Sequence, residues 1–179
     1  TGPSVVMTTK KPERQLEDLK GLIIRSTGVG AKIMTALGAQ GNGAAQGEAY
    51  ELMSKGIIDG TYTTQEVLKG WNQAEVIKYV TGCYDVGSTA DMFVVMNKTK
   101  WNAMPLDIQK TIDALNTEWI DRHGKVWAYY DKVALDYLGT FTGREVITLP
   151  ADEMARWVKI AVEPLITTYI SEKTALKLP

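Results

Sequence analysis

One continuous helical pattern follows Pro105 and constrains what this chain can fold into. Apolar residues recur there at helical spacing, namely Ile108, Ile112, Leu115, Trp119, Val126, Tyr130, Val133 and Tyr137. Proline is favoured at the first position of a helix, and no further proline occurs before Leu138. At about 1.5 Å per residue this helix is roughly 50 Å long, which is longer than one small domain. We therefore expect the helix to span two lobes.

Short apolar runs on either side of the long helix predict an α/β fold. The predicted strands lie at about 5–9, 22–25, 57–60, 92–98 and 145–149. Helical patterns separate them: one ends at Gly38, one ends at Gly56, and a capping box at Thr63–Glu66 opens a third. A last helix follows Pro150 and is broken or restarted at Pro164. Strands that alternate with helices over short links indicate a parallel sheet.

The composition excludes several classes of protein. There are 20 basic and 21 acidic residues, so the net charge of −1 argues against nucleic-acid binding and against polybasic docking to a membrane. One cysteine, Cys83, and one histidine, His123, exclude an intrachain disulfide and any multi-histidine or cysteine-rich metal centre. No apolar run approaches the ~20 residues that a transmembrane helix needs.

Catalytic and nucleotide motifs are also missing. The glycine pairs Gly28–Gly30 and Gly41–Gly43 lack the third glycine of a dinucleotide fingerprint, because Ile33 and Gln46 stand at the required positions. The sequence has no phosphate-binding loop and no GxSxG motif. We expect no enzyme activity, no cofactor and no metal ion. The chain begins at Thr1 without an initiator methionine, so we also expect it to be processed or cut from something longer.

Arg25 is the strongest candidate for a binding residue. It stands at the carboxyl end of a predicted buried strand, the place where open α/β sheets bind ligands. Its planar guanidinium suits a carboxylate, but a structural ion pair with an acidic side chain would suit the same position equally well. Tyr62 and Thr63 follow the next strand and should reach the same edge, although turn or capping roles would explain them too. Tyr84 is a candidate for lining a cleft.

Four segments then resemble one known family. Leu16–Arg25 is similar to the LxDLKGLKIR segment of the substrate-binding proteins of TRAP transporters, the DctP family. Leu37–Ala39 resembles the LGA of that family, Glu48–Gly60 its EvYxALqxGvvDG, and Phe93–Pro105 its fxvxxNkxxWdxLP. The order and the spacing agree across nearly the whole chain.

The resemblance implies a two-lobed protein of which this chain is the C-terminal portion. Residues 1–90 and 140–179 would form a periplasmic-binding-protein-like second lobe, with short parallel strands and helices. Residues 91–139 would form a crossover strand and a long helix that belong partly to a missing first lobe. Exposed apolar surface on that middle segment leads us to expect that the chain taken alone self-associates.

The resemblance also assigns the site. The arginine with which the family grips a substrate carboxylate falls on Arg25, and the next contact region falls on Thr63. Glu66 keeps the acid of a PWE motif found in some members, while Gln65 replaces its aromatic residue. The crossover that begins near Tyr84 contributes a further contact. The predicted ligand-binding residues are therefore Arg25, Tyr62, Thr63, Glu66 and Tyr84.

The predicted function is that of a periplasmic binding protein. It would capture a small organic acid, close its lobes over it and deliver it to the membrane components of a TRAP transporter, without nucleic acid as a partner. Two alternatives remain open at this point. One is the effector-sensing domain of a regulator, and the other is half of a small α/β enzyme.

Overall fold

A computed structural model describes residues 1–176 of the chain, and its centre is one six-stranded sheet. The strands are β1 (Val5–Thr8), β2 (Ile23–Arg25), β3 (Gln40–Asn42), β4 (Gly60–Thr63), β5 (Tyr79–Gly82) and β6 (Glu145–Thr148). Their order across the sheet is β3-β2-β4-β1-β5-β6. The α/β class is confirmed.

The sheet is mixed, which corrects the expectation of a parallel sheet. β2 runs parallel to β3 and β4, and β5 runs parallel to β6. The central strand β1 is antiparallel to both of its neighbours, β4 and β5. Alternation of strands and helices indicates crossover connections, but it does not fix the direction of a first strand that no crossover precedes.

The central strand divides the hydrophobic core into two layers. Consecutive strand residues point to opposite faces, so Val6 packs with Ile24, Met34 and Trp157 on one face. Val5 and Met7 pack on the other face with a second group of buried side chains, which includes Met53, Ile58, Leu68, Ile77 and Leu138. All three apolar residues of β1 are fully buried. The continuous apolar run that predicted this strand is the pattern of a strand covered on both faces.

The described part of the chain also contains seven α-helices. They are α1 (Gly28–Ala36), α2 (Ala49–Ser54), α3 (Val67–Gly70), α4 (Lys98–Asn102), α5 (Leu106–Leu138), α6 (Ala151–Trp157) and α7 (Glu163–Ala175). A π-helical turn, Val158–Val162, joins α6 to α7 just before Pro164, which sits in the first turn of α7. The predicted break or restart at Pro164 takes the form of this π-helical turn, and the helix is not interrupted. Within residues 1–176, no helix combines the length and hydropathy that a membrane crossing requires.

The long helix α5 is confirmed, with 33 residues and a length of about 50 Å. Only its final turns enter the core, where Ala134 and Leu138 are buried. Upstream, large apolar side chains remain exposed, among them Leu106, Leu115, Trp119 and Ile120. The helix thus extends well beyond the body of the sheet.

The prediction of a strand at 92–98 is wrong. Residues 91–97 form no strand, and the whole segment is exposed, with Val94 at 98 %. Its apolar, β-branched composition favours a strand, but a strand forms only when another strand supplies hydrogen bonds. No strand of the described residues lies beside it.

Two boundaries near β4 also differ from prediction. The strand begins at Gly60 and not at Ile57, and Gly60 is required there because an added Cβ would lie 2.2 Å from the carbonyl oxygen of Met7. The capping box at Thr63–Glu66 does not form, because Thr63 ends β4 and the helix α3 starts only at Val67.

A buried carboxyl beside β1 carries the clearest pH dependence of the fold. Glu13 is fully buried, its Oε2 lies 2.7 Å from Thr8 Oγ1, and Thr8 Oγ1 lies 2.7 Å from the carbonyl oxygen of Lys11. Thr8 has one hydroxyl proton and cannot donate to both. A protonated Glu13 resolves this, because it donates to Thr8 while Thr8 donates to Lys11. Burial raises the pKa of Glu13 from its ordinary value of 4.5 to about 7.

We expect the free energy of unfolding to fall as the pH rises from about 4.5 to 7. Over this range the folded state keeps a proton on Glu13 that the unfolded chain has lost, so the loss amounts to about 3 kcal/mol. Glu13→Gln should remove most of this slope and be more stable than the native chain at pH values above 7. Urea denaturation across this pH range measures it, with Glu172→Gln on the exposed surface as the control. An unchanged slope in Glu13→Gln would contradict the assignment.

Candidate ligand-binding site

A cavity of about 410 Å³ opens at the carboxyl ends of β2 and β4. Four of the predicted site residues line it, namely Arg25, Tyr62, Thr63 and Glu66. These residues come together because β2 and β4 are parallel and Arg25 pairs with Thr61. The segments that follow the two strands therefore leave the sheet at the same edge. This is the edge of an α/β sheet at which ligands bind.

Arg25 is only 7 % exposed, and the loop that follows β3 holds its side chain. Its Nε donates to the carbonyl oxygen of Ala44 at 2.9 Å, and its Nη1 donates to Gln46 Oε1 at 2.7 Å. Asn42 Oδ1 accepts from the backbone N–H of Ala44 and shapes this loop. The guanidinium is therefore fixed in orientation by neutral oxygen atoms.

Arg25 has no acidic partner among the described residues within 4.0 Å. The alternative that the sequence left open, a structural ion pair between Arg25 and an acidic side chain, is therefore absent from the described residues. Burial lowers the pKa of Arg25, although an arginine stays charged in any protein environment. A buried and unpaired cation is costly, since the penalty for desolvating an ion is several kcal/mol. An anion from outside the chain would offset that penalty.

Tyr62 lines the cavity, but its hydroxyl is already engaged. It donates to the carbonyl oxygen of Val86 and accepts from the backbone N–H of Ser88, both at 3.1 Å. Burial raises the pKa of Tyr62 to about 12. The Tyr62 side chain therefore fixes the segment that leaves β5. Thr63 lies half-buried at the end of β4 and is more available than Tyr62 to contact a ligand.

Glu66 brings an acidic group to the same cavity. Its Oε2 is buried and has no hydrogen-bond partner in the described part of the chain. Burial raises the pKa of the Glu66 carboxyl; the Thr64 hydroxyl opposes this effect, and the Asp131 carboxylate of α5 adds to it.

Tyr84, the fifth predicted site residue, does not join the others. It is 46 % exposed and is not among the residues that line the cavity. A turn over residues 84–86 follows β5 directly, and the Tyr84 ring lies back over Gly82, where an added Cβ would come within 2.8 Å of it. A ligand role for Tyr84 remains a prediction that the described residues do not support by proximity.

Sequence reasoning missed several residues of this cavity. Gln46, Thr64, Ser88 and Trp127 line it as well. Gln46 lies 21 residues after Arg25, so no local pattern connects the two. Trp127 reaches the site only because α5 passes over it. For a metal centre, residues 1–176 offer no group of three or more histidine, cysteine, aspartate or glutamate side chains.

A second cavity of about 350 Å³ lies between α1 and α7 and is lined mainly by apolar side chains such as Val29, Ile33 and Leu165. It lacks the buried, unpaired charge that marks the first cavity. The cavity of Arg25 is therefore the candidate for ligand binding.

Residues 2–173 match the sequence model of a protein family, DctP, which is described as bacterial extracellular solute-binding protein, family 7. The chain belongs to this DctP family. A curated relative in Nostoc sp., the monocarboxylate 2-oxoacid-binding periplasmic protein, is 31 % identical over 123 residues, 66 % of this chain and 33 % of the relative. The C4-dicarboxylate-binding periplasmic protein DctP of Rhodobacter capsulatus is 26 % identical over 157 residues, 87 % of this chain and 46 % of that protein.

Solved DctP structures share the fold. The crystal structure of a TRAP periplasmic solute-binding protein from Anaerococcus prevotii, with bound α/β D-glucuronate, superposes with a TM-score of 0.85 at 26 % identity. The match covers 98 % of this chain and 55 % of that structure. The DctP chain described here therefore spans between a third and about half of the relatives that it matches.

Removing the Tyr62 hydroxyl should loosen the segment that leaves β5. Tyr62→Phe leaves the carbonyl of Val86 and the N–H of Ser88 without their partner, and we expect a loss of about 1–3 kcal/mol in the free energy of unfolding. Tyr50→Phe is the matched control, because the Tyr50 hydroxyl bonds to Glu75 at an exposed site. Urea denaturation of both variants measures the difference, and equal effects would contradict the role given to Tyr62.

Proposed function

We propose that this chain forms the carboxylate-gripping half of a binding protein that captures a small organic acid. The observation that carries the proposal is Arg25, buried at the cavity, oriented by Ala44 and Gln46, and unpaired with any acid of the described residues. A ligand carboxylate would form charge-assisted hydrogen bonds with the remaining guanidinium N–H groups. Thr63 and its neighbours would add hydrogen bonds to the rest of the ligand.

The relatives support this class of ligand. Their names and titles mention a 2-oxoacid, a C4-dicarboxylate and D-glucuronate, which share a carboxylate and differ elsewhere. We propose that the acid is passed unchanged to the membrane components of a TRAP transporter, and that the protein works in the periplasm. The family assignment favours such a role over an effector-sensing domain or half of an enzyme.

We further propose that residues 1–90 and 140–179 form the second of two lobes. Residues 177–179 of this range lie outside the described residues. Residues 91–139 would belong partly to a first lobe. The exposure of 91–97 and of the upstream half of α5 supports this division, since monomers rarely leave large apolar patches in water. The lobes would close over the acid by a hinge in the segments that connect them.

Arg25→Lys should weaken the binding of acids by about tenfold or more, because lysine keeps the charge but lacks the planar guanidinium that can donate two parallel hydrogen bonds to a carboxylate. The melting temperature should fall only modestly, since no ion pair of the protein is broken and the losses are confined to the hydrogen bonds with Ala44 and Gln46. Isothermal titration calorimetry on the intact protein, with D-glucuronate, succinate and pyruvate as probes, measures the affinity. Arg14→Lys, at an exposed ion pair with Glu145, is the control. A sharp loss of stability with unchanged affinity would support a structural role instead.

We expect the chain taken alone to form dimers or larger assemblies. Met92–Met96 and the exposed apolar side chains of α5 would pack on a second copy in place of first-lobe elements. Light scattering across a range of concentrations measures the mass. The double substitution of Val94→Asp and Trp119→Glu should shift the chain toward a monomer, whereas Val146→Asp on β6 should not. A native chain that stays monomeric at high concentration would mean that the lobe assignment is wrong.

A further inference from the structure

Gln46 is the one side chain among the described residues that hydrogen-bonds to the Arg25 guanidinium. Its Oε1 accepts from Arg25 Nη1 at 2.7 Å, and the other contact, from Arg25 Nε, goes to the backbone carbonyl of Ala44. The amide oxygen has to face Arg25, because the amide nitrogen is a donor and would meet another donor. Both acceptors are neutral, so the chain orients the guanidinium without compensating its charge.

The same loop carries an acid that does not contact Arg25. Glu48 follows Gln46 by two residues, and its Oε2 accepts from the backbone N–H of Ala45 at 2.9 Å. Glu48 is exposed, and no ion pair within 4.0 Å joins it to Arg25 among residues 1–176. The loop thus presents a neutral amide to Arg25, although a carboxylate stands two residues away.

The contacts with Ala44 and Gln46 leave part of the guanidinium free. An arginine has five N–H donors, and neither N–H of Arg25 Nη2 has a partner in the described chain. Arg25 and Gln46 line the same cavity. A carboxylate that enters this cavity would accept from Nη2 while Gln46 continues to hold Nη1.

Two further charged groups line the cavity, the Glu66 carboxyl and the Thr1 ammonium. They are opposite in sign, and the ammonium opposes the rise that burial causes in the pKa of Glu66. The Thr1 ammonium also donates to the carbonyl oxygen of Ala90 at 3.3 Å. Glu66 forms no ion pair with Arg25 within 4.0 Å in the described residues. The charge of Arg25 is therefore compensated neither by the loop nor by the rest of the cavity.

We propose that Gln46 is a positioning residue that sets the charge selectivity of this site. Its amide holds the Arg25 guanidinium in place and, being neutral, leaves the positive charge for an ionised carboxylate of the ligand. A carboxylate at position 46 would take over that role and exclude the acid. The preferred ligand is therefore an anion, and an uncharged amide of the same shape is rejected. This inference rests on the proposed function, because it presumes that Arg25 grips an acid.

The physical basis is the cost of a buried charge. An ion that has lost its water is costly, and an opposite charge offsets that cost. In the native site the ligand supplies the opposite charge, so binding recovers the cost. With a carboxylate at position 46 the chain would supply it, and the ligand carboxylate would then meet a like charge. Specificity is a difference between two affinities, and this arrangement raises one of them without favouring the other.

The test compares acids with their own amides. The probes are pyruvate with pyruvamide, D-glucuronate with D-glucuronamide, and succinate with succinamide. Isothermal titration calorimetry on the intact protein gives each affinity. For the acid that binds most tightly, we expect the native protein to prefer the acid over its amide by about a hundredfold.

Gln46→Glu should reduce this preference to within about threefold. The acid loses affinity, whereas the amide can donate an N–H to the introduced carboxylate. The melting temperature should not fall, because the introduced carboxylate pairs with Arg25. A role of Gln46 in stability alone would instead lower the melting temperature and leave the preference as it is.

Two further variants complete the design. Gln46→Met keeps the length of the side chain and lacks the acceptor, so it should weaken the acid by about tenfold and still prefer it over the amide. Gln40→Glu makes the same charge change at the amino end of β3, outside the cavity, and should leave both affinities unchanged. Thermal melting by circular dichroism shows whether each variant is folded.

The possible outcomes separate the two proposals. If acids bind and lose affinity in Arg25→Lys, but Gln46→Glu keeps the preference for the acid, this inference is overturned and the proposed function stands. If Gln46→Glu does not fold, an unchanged affinity of Gln46→Met for the acid overturns it instead. If the native protein binds no acid, or binds the amides equally well, both proposals fail. A preference that collapses in Gln46→Glu and persists in Gln40→Glu supports the inference.

Discussion

The pairing of β1 on both of its edges is the constraint on which the rest of the structure depends. Val5, Val6 and Met7 are fully buried, and the strand hydrogen-bonds to β4 on one side and β5 on the other. Its two faces supply side chains to both layers of the core. Burial of three such side chains contributes on the order of 5–8 kcal/mol. Without this strand, the β2–β4 half of the sheet and the β5–β6 half would have no common partner.

The candidate ligand site follows from the position of β4 beside β1. The close approach of Gly60 to Met7 fixes where β4 starts, and the pairing of Arg25 with Thr61 then fixes β2 against it. These two registers bring Arg25 and the residues after Thr63 to one edge of the sheet. The cavity is therefore an outcome of strand register, and the loop that holds Arg25 through Ala44 and Gln46 completes it.

Ion pairs are distributed unevenly over the molecule. Ion pairs such as Lys55–Glu51, Lys125–Asp121 and Lys132–Asp136 lie on exposed helix surfaces, where water screens them and each adds little to stability. In the cavity, Arg25 is buried and Glu66 is half-buried, and neither forms an ion pair within 4.0 Å among the described residues.

Local sequence patterns were sufficient to predict the α/β class, the long helix, its start after Pro105 and the family. These features depend on local patterns, such as the helical spacing of apolar residues and the glycines and prolines at element ends. The sequence also placed Arg25, Tyr62 and Thr63 at one edge, because strands that end at the same edge deliver their following residues together, and the family resemblance added Glu66. The three-dimensional structure was needed to show that β1 is antiparallel, that 91–97 has no strand of the described residues beside it, and that Tyr84 does not line the cavity. It alone revealed that Arg25 has no acidic partner among the described residues and that Gln46 and Trp127 line the same cavity. Those facts depend on contacts between residues far apart in the chain, and no local pattern encodes them.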